Sequence, residues 1–236
     1  MTVNSLLDCL KAIFKDESLF GFSAIDSSLA DKTGCKCAVV TLMPYPDLTY
    51  MYNPVEFFHM SESLRKKHSD KMAVFKKFLD KNSVKYATPP ASPKDDGEHL
   101  AEFSYKWAAI HAGLGFIGKN DVFVHEKYAQ RVRISCLLID YDMPVFSGEV
   151  VSKCNTCDIC VKACPHGLIT GHPWHINVHR SELIDYKKCA TKSKHDGDGI
   201  KYLCALCSLS CTYPDCAGTK AYIAQLTKQP KVANLI

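Results

Sequence analysis

The chain has 236 residues, 47% of them hydrophobic and 23% charged, which is an ordinary composition for a soluble globular protein. This length allows one large domain or two modest ones, and the formal net charge of +4 is far weaker than that of a dedicated nucleic-acid-binding protein. The sequence has no apolar run of about 18 residues, and its start lacks the features of a signal peptide. We therefore expect a cytoplasmic protein with no membrane partner.

The first part of the chain predicts mixed helices and strands. Apolar spacing predicts amphipathic helices over residues 5–15, 62–81 and 99–111. Apolar runs predict strands over residues 37–43, 122–124 and 132–141. The proline-rich residues 89–97 predict a loop before the third helix.

The composition changes near Gly148, after which the chain consists of short cysteine-bearing segments with little apolar periodicity. We expect two domains, an α/β domain over residues 1–147 and a cysteine-rich domain over residues 148–236. The fold class predicted for the whole chain is α+β.

Cysteine is unusually frequent, with 13 residues in the chain. In a cytosol that keeps thiols reduced, this density indicates metal binding or catalysis before disulfides. Residues 154–165 form the C-x2-C-x2-C-x3-C-P run of bacterial ferredoxins. In two-cluster ferredoxins the fourth cysteine of this run binds the other cluster.

Further cysteines complete two 4Fe-4S clusters in this scheme. The predicted ligands of the first cluster are Cys154, Cys157, Cys160 and Cys211, and those of the second are Cys164, Cys189, Cys204 and Cys207. Cys216 is a rival for the last position, because the proline that normally follows the final cysteine stands here at Pro214. Zinc favours paired C-x2-C knuckles, so the compact first run favours iron-sulfur clusters over zinc or disulfides.

Two segments before these cysteines carry a family resemblance. Residues 106–120, KWAAIHAGLGFIGKN, resemble the A-G-L-G-W-I-G-K-N segment of epoxyqueuosine reductases, and residues 128–135, YAQRVRIS, are similar to a stretch of reductive dehalogenases. The order of motifs over residues 100–216 also resembles that of epoxyqueuosine reductases. Within this family the chain is most similar to short members that lack the C-terminal helical-repeat domain.

The resemblance implies a nitroreductase-like, cobalamin-binding α/β domain followed by a ferredoxin-like double-cluster domain. A donor such as ferredoxin or flavodoxin would supply electrons, which the clusters would pass to a base-off corrin. The residues expected to contact the corrin are Lys106, Gly113, Leu114, Gly115, Gly118, Lys119, Asn120, Arg131 and Arg133. From the residues alone, a tight helix-to-strand connection without a ligand explains the glycines equally well.

Substrate reduction also needs a proton donor. The resemblance implies Tyr105, which would correspond to a tyrosine of reductive dehalogenases, or His99, near the position of an aspartate in epoxyqueuosine reductases. The alternatives are a core role for Tyr105 and an exposed position for His99. For His166 the choice lies between a hydrogen bond to a cluster sulfur and a solvated turn.

Together these features predict an iron-sulfur, cobalamin-dependent oxidoreductase acting on a small or nucleoside-like substrate. The alternative is a two-cluster electron-transfer protein without cobalamin. A tRNA substrate is also implied by the resemblance, but the mild net charge and the missing helical-repeat domain weaken that expectation.

Overall fold

A computed structural model describes residues 1–45, 54–89, 101–192, 194–195, 202–211 and 213. His99, Cys216 and most of the predicted loop over residues 89–97 lie outside these ranges. None of the helices within the ranges combines the length and apolar character that a membrane span requires.

Helices and strands alternate through the first two thirds of the chain. The described helices are α1 (Val3–Phe14), α2 (Ser27–Thr33), α3 (Pro54–Lys81), α4 (Tyr105–His111), α5 (Ile159–Ala163), α6 (Arg180–Leu183), α7 (Tyr186–Lys192) and α8 (Leu206–Leu209). The described strands are β1 (Phe20–Ala24), β2 (Cys37–Pro44), β3 (Tyr86–Ala87), β4 (Gly115–Ile117), β5 (Phe123–His125), β6 (Val132–Ile139), β7 (Lys194–His195) and β8 (Tyr202–Leu203).

Two helix starts differ from the sequence expectation for identifiable reasons. The helix predicted from residue 99 begins at Tyr105, because Ser104 caps it by accepting a hydrogen bond from the Trp107 N–H, and residues 101–104 are not helical. The helix predicted from residue 62 begins earlier, at Pro54. Proline suits the first helical turn, where its missing N–H would have no intrahelical partner.

The main sheet is antiparallel with strand order β1-β2-β6-β3. Its central pair, β2 and β6, is in register along the whole of both strands, with Val39 opposite Leu137. The apolar run from Cys37 to Leu42 is buried, as expected for a strand that is covered on both faces.

Different helices cover the two faces of this sheet. On one face, Thr41 contacts His68 of α3, which in turn packs against α1. On the other face, Ala38 and Leu138 pack with Leu29 of α2, and α4 contacts β1, β2 and β6. Because successive strand residues point to opposite faces, the unbroken apolar sequence of β2 supplies both layers of the core.

A short hairpin of β4 and β5 follows α4 and carries the glycine-rich motif. Gly113 connects α4 to β4 with φ of +72°, a conformation that favours glycine. The hairpin turn runs through residues 118–121, and Asp121 also has a positive φ of 59°. This turn points the motif toward the cysteine-bearing segment.

The segment after residue 148 shares the core of the preceding part. Ile169, Trp174, Leu183 and Tyr186 are buried in the same apolar cluster as residues of α1 and β2. The division into domains at residues 147 and 148 stays a prediction, since the packing on its two sides is continuous. The predicted α+β class is confirmed by the helices and strands and by the structural relatives described below.

Candidate metal centre and adjoining cavity

Four thiols line one cavity of about 290 Å³: Cys154, Cys157, Cys160 and Cys211. Cys154 and Cys157 lie in the loop before α5, Cys160 lies in α5, and Cys211 follows α8, which packs against α5. These are the four residues that the spacing assigns to the first cluster.

The same four thiols interact electrostatically. Burial, with smaller contributions from the thiols of Cys207, Cys154, Cys211 and Cys157, raises the pKa of Cys160 to about 12. Burial likewise raises the pKa of Cys211 to about 11, with contributions from Cys154 and Cys157. Several thiols gathered at one cavity favour a bound cation, because a cation at the site would stabilise the thiolate forms that bind it.

A second group of thiols gathers beside the first. Burial raises the pKa of Cys204, and the neighbouring thiols of Cys189 and Cys164 contribute to the increase. Burial also raises the pKa of Cys207 to about 11, with contributions from Cys204 and Cys189. These are the four residues assigned to the second cluster, and the influence of Cys207 on Cys160 shows that the two groups adjoin.

One sulfur of the second group accepts a hydrogen bond from the backbone. The Leu168 N–H donates to Cys164 Sγ at 3.4 Å. Such donors stabilise sulfur that carries negative charge, and they are one of the means by which proteins tune iron-sulfur clusters. The donor set therefore fits two clusters.

Within the described residues, no three His, Cys, Asp or Glu side chains form a group suited to a single metal ion. A 4Fe-4S cluster makes a different demand, because each of its four thiolates binds a different iron atom. Ligation of clusters by the eight cysteines stays a prediction.

The glycines of the motif pack against the protein itself. A Cβ added to Gly115 would lie 2.1 Å from the Val124 carbonyl oxygen, and one added to Gly113 would lie 2.7 Å from the Phe146 ring. At Gly118 an added Cβ would lie 3.1 Å from the side chains of Asn120 and Gln130. The tight helix-to-strand connection thus accounts for glycine at these positions.

Lys106 lies in an internal ion-pair network. Its Nζ is 2.6 Å from Asp121 Oδ2 and also donates to the Asp121 carbonyl oxygen at 2.6 Å. The same carboxylate accepts from Arg180 Nε at 2.5 Å, and the Arg180 guanidinium lies over the Tyr186 ring. This network joins α4, the hairpin turn and the segment leading to Cys189. Lys106 therefore has a structural partner in Asp121, and its predicted contact with a corrin stays a prediction.

The remaining residues predicted to contact a corrin occupy different environments. Leu114 and Lys119 are buried. Arg131 is buried close enough to Cys211 to lower the pKa of that thiol, whereas Arg133 lies near His68 on the α3 face of the sheet. The two arginines therefore lie in different environments, although the sequence predicts both on one face of a strand.

Asn120 and Gln130 form a reciprocal amide pair. Each side-chain amide donates to the oxygen of the other at 2.8 Å, and both residues are buried and line the cysteine cavity. Sequence reasoning singled out Asn120 but missed Gln130, and no pattern in the sequence marks it. Its role depends on the register that brings the end of the hairpin back to its turn.

A second cavity, of about 240 Å³, lies beside the glycine connection and is lined by Gly113, Gly115, Phe146 and six other residues. It shares Phe116 and Lys153 with the cysteine cavity, so the two adjoin. Pockets for drug-sized ligands usually measure about 300–1,000 Å³, and a corrin is larger. Neither cavity among the described residues is therefore large enough to enclose a corrin.

The predicted proton donors lie apart from these cavities or outside the described residues. The Tyr105 hydroxyl donates to the Pro89 carbonyl oxygen at 2.6 Å, and burial raises the pKa of Tyr105 to about 12. Tyr105 lines neither cavity, and His99 lies in the part of the chain that is not described. His166 is half-buried, and its Nε2 has no hydrogen-bond partner among the described residues.

The curated proteins to which the chain is similar are epoxyqueuosine reductases. No family model matches the chain. The chain is similar to the epoxyqueuosine reductases of Leadbetterella byssophila, 34% identical over 80 residues, and of Lactococcus garvieae, 30% identical over 112 residues. These matches cover 34% and 44% of this chain but only 24% and 30% of the relatives.

The fold extends the similarity over most of the chain. The epoxyqueuosine reductase of Bacillus subtilis superposes with a TM-score of 0.56 at 16% identity, covering 89% of this chain and 65% of that structure. A catabolic reductive dehalogenase superposes with a TM-score of 0.57 at 18% identity, covering 84% of this chain and 29% of that structure.

The chain therefore shares the fold of these epoxyqueuosine reductase and reductive dehalogenase structures. The resemblance predicted from its motifs is confirmed by its similarity to epoxyqueuosine reductases, although the matched segments span less than a third of their length.

Proposed function

We propose that this chain is a reductase whose eight cysteines hold two 4Fe-4S clusters and whose N-terminal part binds cobalamin beside them. The observation that carries the proposal is the interleaving of the thiols. Cys164, from the first run, lies with Cys189 and Cys204, whereas Cys211, from the last run, lines the cavity of the first three cysteines. This exchange is the arrangement of two-cluster ferredoxins.

The chain's own residues define what the site does. The two cavities share Phe116, and Cys154 and Cys160 line one of them, so a ligand in the other cavity would lie near the first group of thiols. Cobalamin, when bound, supplies a low-valent metal centre able to reduce a carbon atom. Gly113 and Gly115 line the cavity in which an edge of it would lie.

The relatives indicate a general substrate class for this chain. One epoxyqueuosine reductase structure contains an epoxyqueuosine-modified tRNA stem loop, and it superposes with a TM-score of 0.57. For this chain we propose a small or nucleoside-like substrate, with ferredoxin or flavodoxin as electron donor. Tyr105 and His99 stay our candidates for the proton donor. Tyr105 has to release the Pro89 carbonyl oxygen before it can donate to a substrate.

A second candidate, a two-cluster electron carrier without cobalamin, is favoured by one observation. The protein itself fills the space next to Gly113 and Gly115 with Phe146 and with the Val124 carbonyl oxygen. Under this alternative, the geometry of the turn serves packing alone, and the cysteine groups exchange electrons directly with partner proteins.

Cobalamin titration separates the two candidates. Protein reconstituted anaerobically with iron and sulfide is titrated with cobalamin, and binding is followed by absorbance and by the EPR signal of the bound cofactor. The reductase proposal predicts stoichiometric uptake. If protein with its full iron content takes up no cobalamin, the reductase proposal fails and the electron-carrier alternative stands.

A matched pair of variants tests whether the second cavity is the binding site. Val151 lines this cavity and is 58% exposed, and Val74 on α3 is 55% exposed away from it. Val151→Arg is expected to weaken cobalamin uptake at least tenfold, whereas Val74→Arg is expected to leave it unchanged. Equal behaviour of the two variants would place the cofactor elsewhere.

A further inference from the structure

An exposed segment of the chain forms part of the wall of the second cavity. Residues 144–149, which we call the strap, lie between β6 and the first cysteine run, and all six are exposed. Phe146 of the strap lines the cavity of about 240 Å³, although its side chain is 44% exposed. An aromatic ring that is nearly half in water thus closes one side of this cavity.

The Phe146 ring rests between two glycines. A Cβ added to Gly113, in the connection between α4 and β4, would lie 2.7 Å from the ring. A Cβ added to Gly148, in the strap itself, would lie 2.3 Å from the ring, and the three atoms nearest to it all belong to Phe146. Glycine at both positions therefore gives the ring room to lie over Gly113.

No described hydrogen bond or ion pair joins the strap to another part of the protein. The strap is anchored at its two ends, because Met143 before it is buried and Val150 after it packs against the core. Further on, Lys153 pairs with Glu126, and both residues line the cavity. A segment that has no hydrogen bonds to lose and few buried contacts opens locally at low cost.

Movement of the strap would change what the cavity can accept. The cavity of about 240 Å³ is too small to enclose a corrin while the ring lies over Gly113. Release of the ring would uncover Gly113 and extend the cavity along the connection between α4 and β4. A ring that is already 44% exposed gives up only part of the free energy of full burial when it leaves.

We propose that the strap is a gate, and that cobalamin enters the second cavity only after Phe146 has left its position over Gly113. This inference rests on the proposed binding of cobalamin and adds the step that controls access to the site. The closed strap and the cofactor compete for the same space, so the observed affinity is reduced by the fraction of molecules in which the strap is open.

Two substitutions open the gate in different ways. Phe146→Ala removes the ring, whereas Gly148→Ala keeps the ring but places a methyl group where the ring lies. Gly148 does not have a positive φ, so alanine brings no backbone strain there. Ser147→Ala, between the two on the strap, is the matched control, because Ser147 lines neither cavity.

The first measurement is the rate of cobalamin association with the reconstituted full chain, followed by stopped-flow absorbance. Minor open states are commonly populated at about 10% or less, so both gate variants are expected to bind cobalamin about tenfold faster than the wild-type chain. Ser147→Ala is expected to bind at the wild-type rate. Equal or slower association in both gate variants would overturn the inference.

The second measurement follows the ring without the cofactor. In fluorine NMR of the full chain labelled with fluorophenylalanine, the Phe146 signal is identified by its loss in Phe146→Leu. The gate predicts that Gly148→Ala moves this signal toward that of a solvent-exposed ring, and an unmoved signal would contradict it. If none of these proteins takes up cobalamin, the proposed function is refuted, and the fluorine signal alone decides whether the strap opens.

Discussion

His68 and Thr41 form a hydrogen bond in the buried layer between α3 and β2, with 2.8 Å between Nε2 and Oγ1. His68 is 2% exposed, and its ring meets that of Phe14 edge-on. Among the described residues, no carboxylate contacts the His68 ring. A protonated ring would therefore be a buried charge without an acidic partner, so His68 holds the helix to the sheet only in its neutral form.

Stability is expected to fall in mild acid because of this residue. Burial, together with the positive charges of Arg133 and Lys71, lowers the pKa of His68 from 6.5 to about 4. The unfolded chain therefore takes up a proton before the folded chain does. The stabilisation is complete above about pH 6.5 and is lost as the pH falls toward 4, a change of roughly 3 kcal/mol.

The measurement is the free energy of unfolding between pH 7 and pH 4.5 for the wild-type chain and His68→Gln. Glutamine keeps a donor for Thr41 but does not titrate, so its stability is expected to depend less on pH. His59→Gln, at an exposed position of the same helix, is the control. Parallel curves for all three proteins would show that His68 does not set the acid limit.

Gly115 is expected to tolerate no side chain. Gly115→Ala would place a methyl group 2.1 Å from the Val124 carbonyl oxygen, which cannot move without breaking the hairpin. We expect a loss of about 2 kcal/mol or more in the free energy of unfolding. Gly167→Ala is the control: Gly167 has φ of +60° but no atom within 4 Å of an added Cβ, so only the backbone cost of about 1 kcal/mol is expected. Equal losses would contradict the packing argument.

Asp121 is expected to be essential for stability because it neutralises two cations. Asp121→Asn keeps the shape and the positive φ, which asparagine tolerates, but leaves Lys106 and Arg180 facing each other. Removing one partner of a buried ion pair costs about 3 kcal/mol or more, to be measured by denaturant unfolding. Glu17→Gln, which breaks an exposed pair with Lys11, is expected to have no measurable effect. A small loss for Asp121→Asn would mean that water solvates the pair.

The sequence predicts the two central strands of the main sheet, β2 and β6, but not the outer strands β1 and β3. The apolar run from Cys37 and that from Val132 each specify a buried strand without reference to the rest of the chain. Helix limits were less certain, since Ser104 and Pro54 fix them through capping chemistry that competes with apolar periodicity. The assignment of the eight cysteines to two clusters follows from the motif spacing and stays a prediction.

The surroundings of the glycine motif could not be predicted from the sequence. Phe146 occupies the space beside Gly113, and Arg180 reaches Asp121, through contacts that depend on how distant segments pack. The same holds for Gln130, whose pairing with Asn120 depends on the hairpin. Motif spacing therefore identifies candidate binding residues, but only the fold shows which of these residues already contact other parts of the protein.

Counting iron and acid-labile sulfide in the reconstituted chain tests the central claim most directly. Two clusters of four iron atoms require eight of each per chain, and Mössbauer spectra are expected to show 4Fe-4S sites. Cys211→Ser is expected to impair one cluster, whereas Cys9→Ser, outside both thiol groups, is expected to retain both. Full occupancy in Cys211→Ser with loss in Cys216→Ser would reassign the last ligand. Zinc in place of iron, or disulfides between these cysteines, would contradict the iron-sulfur assignment.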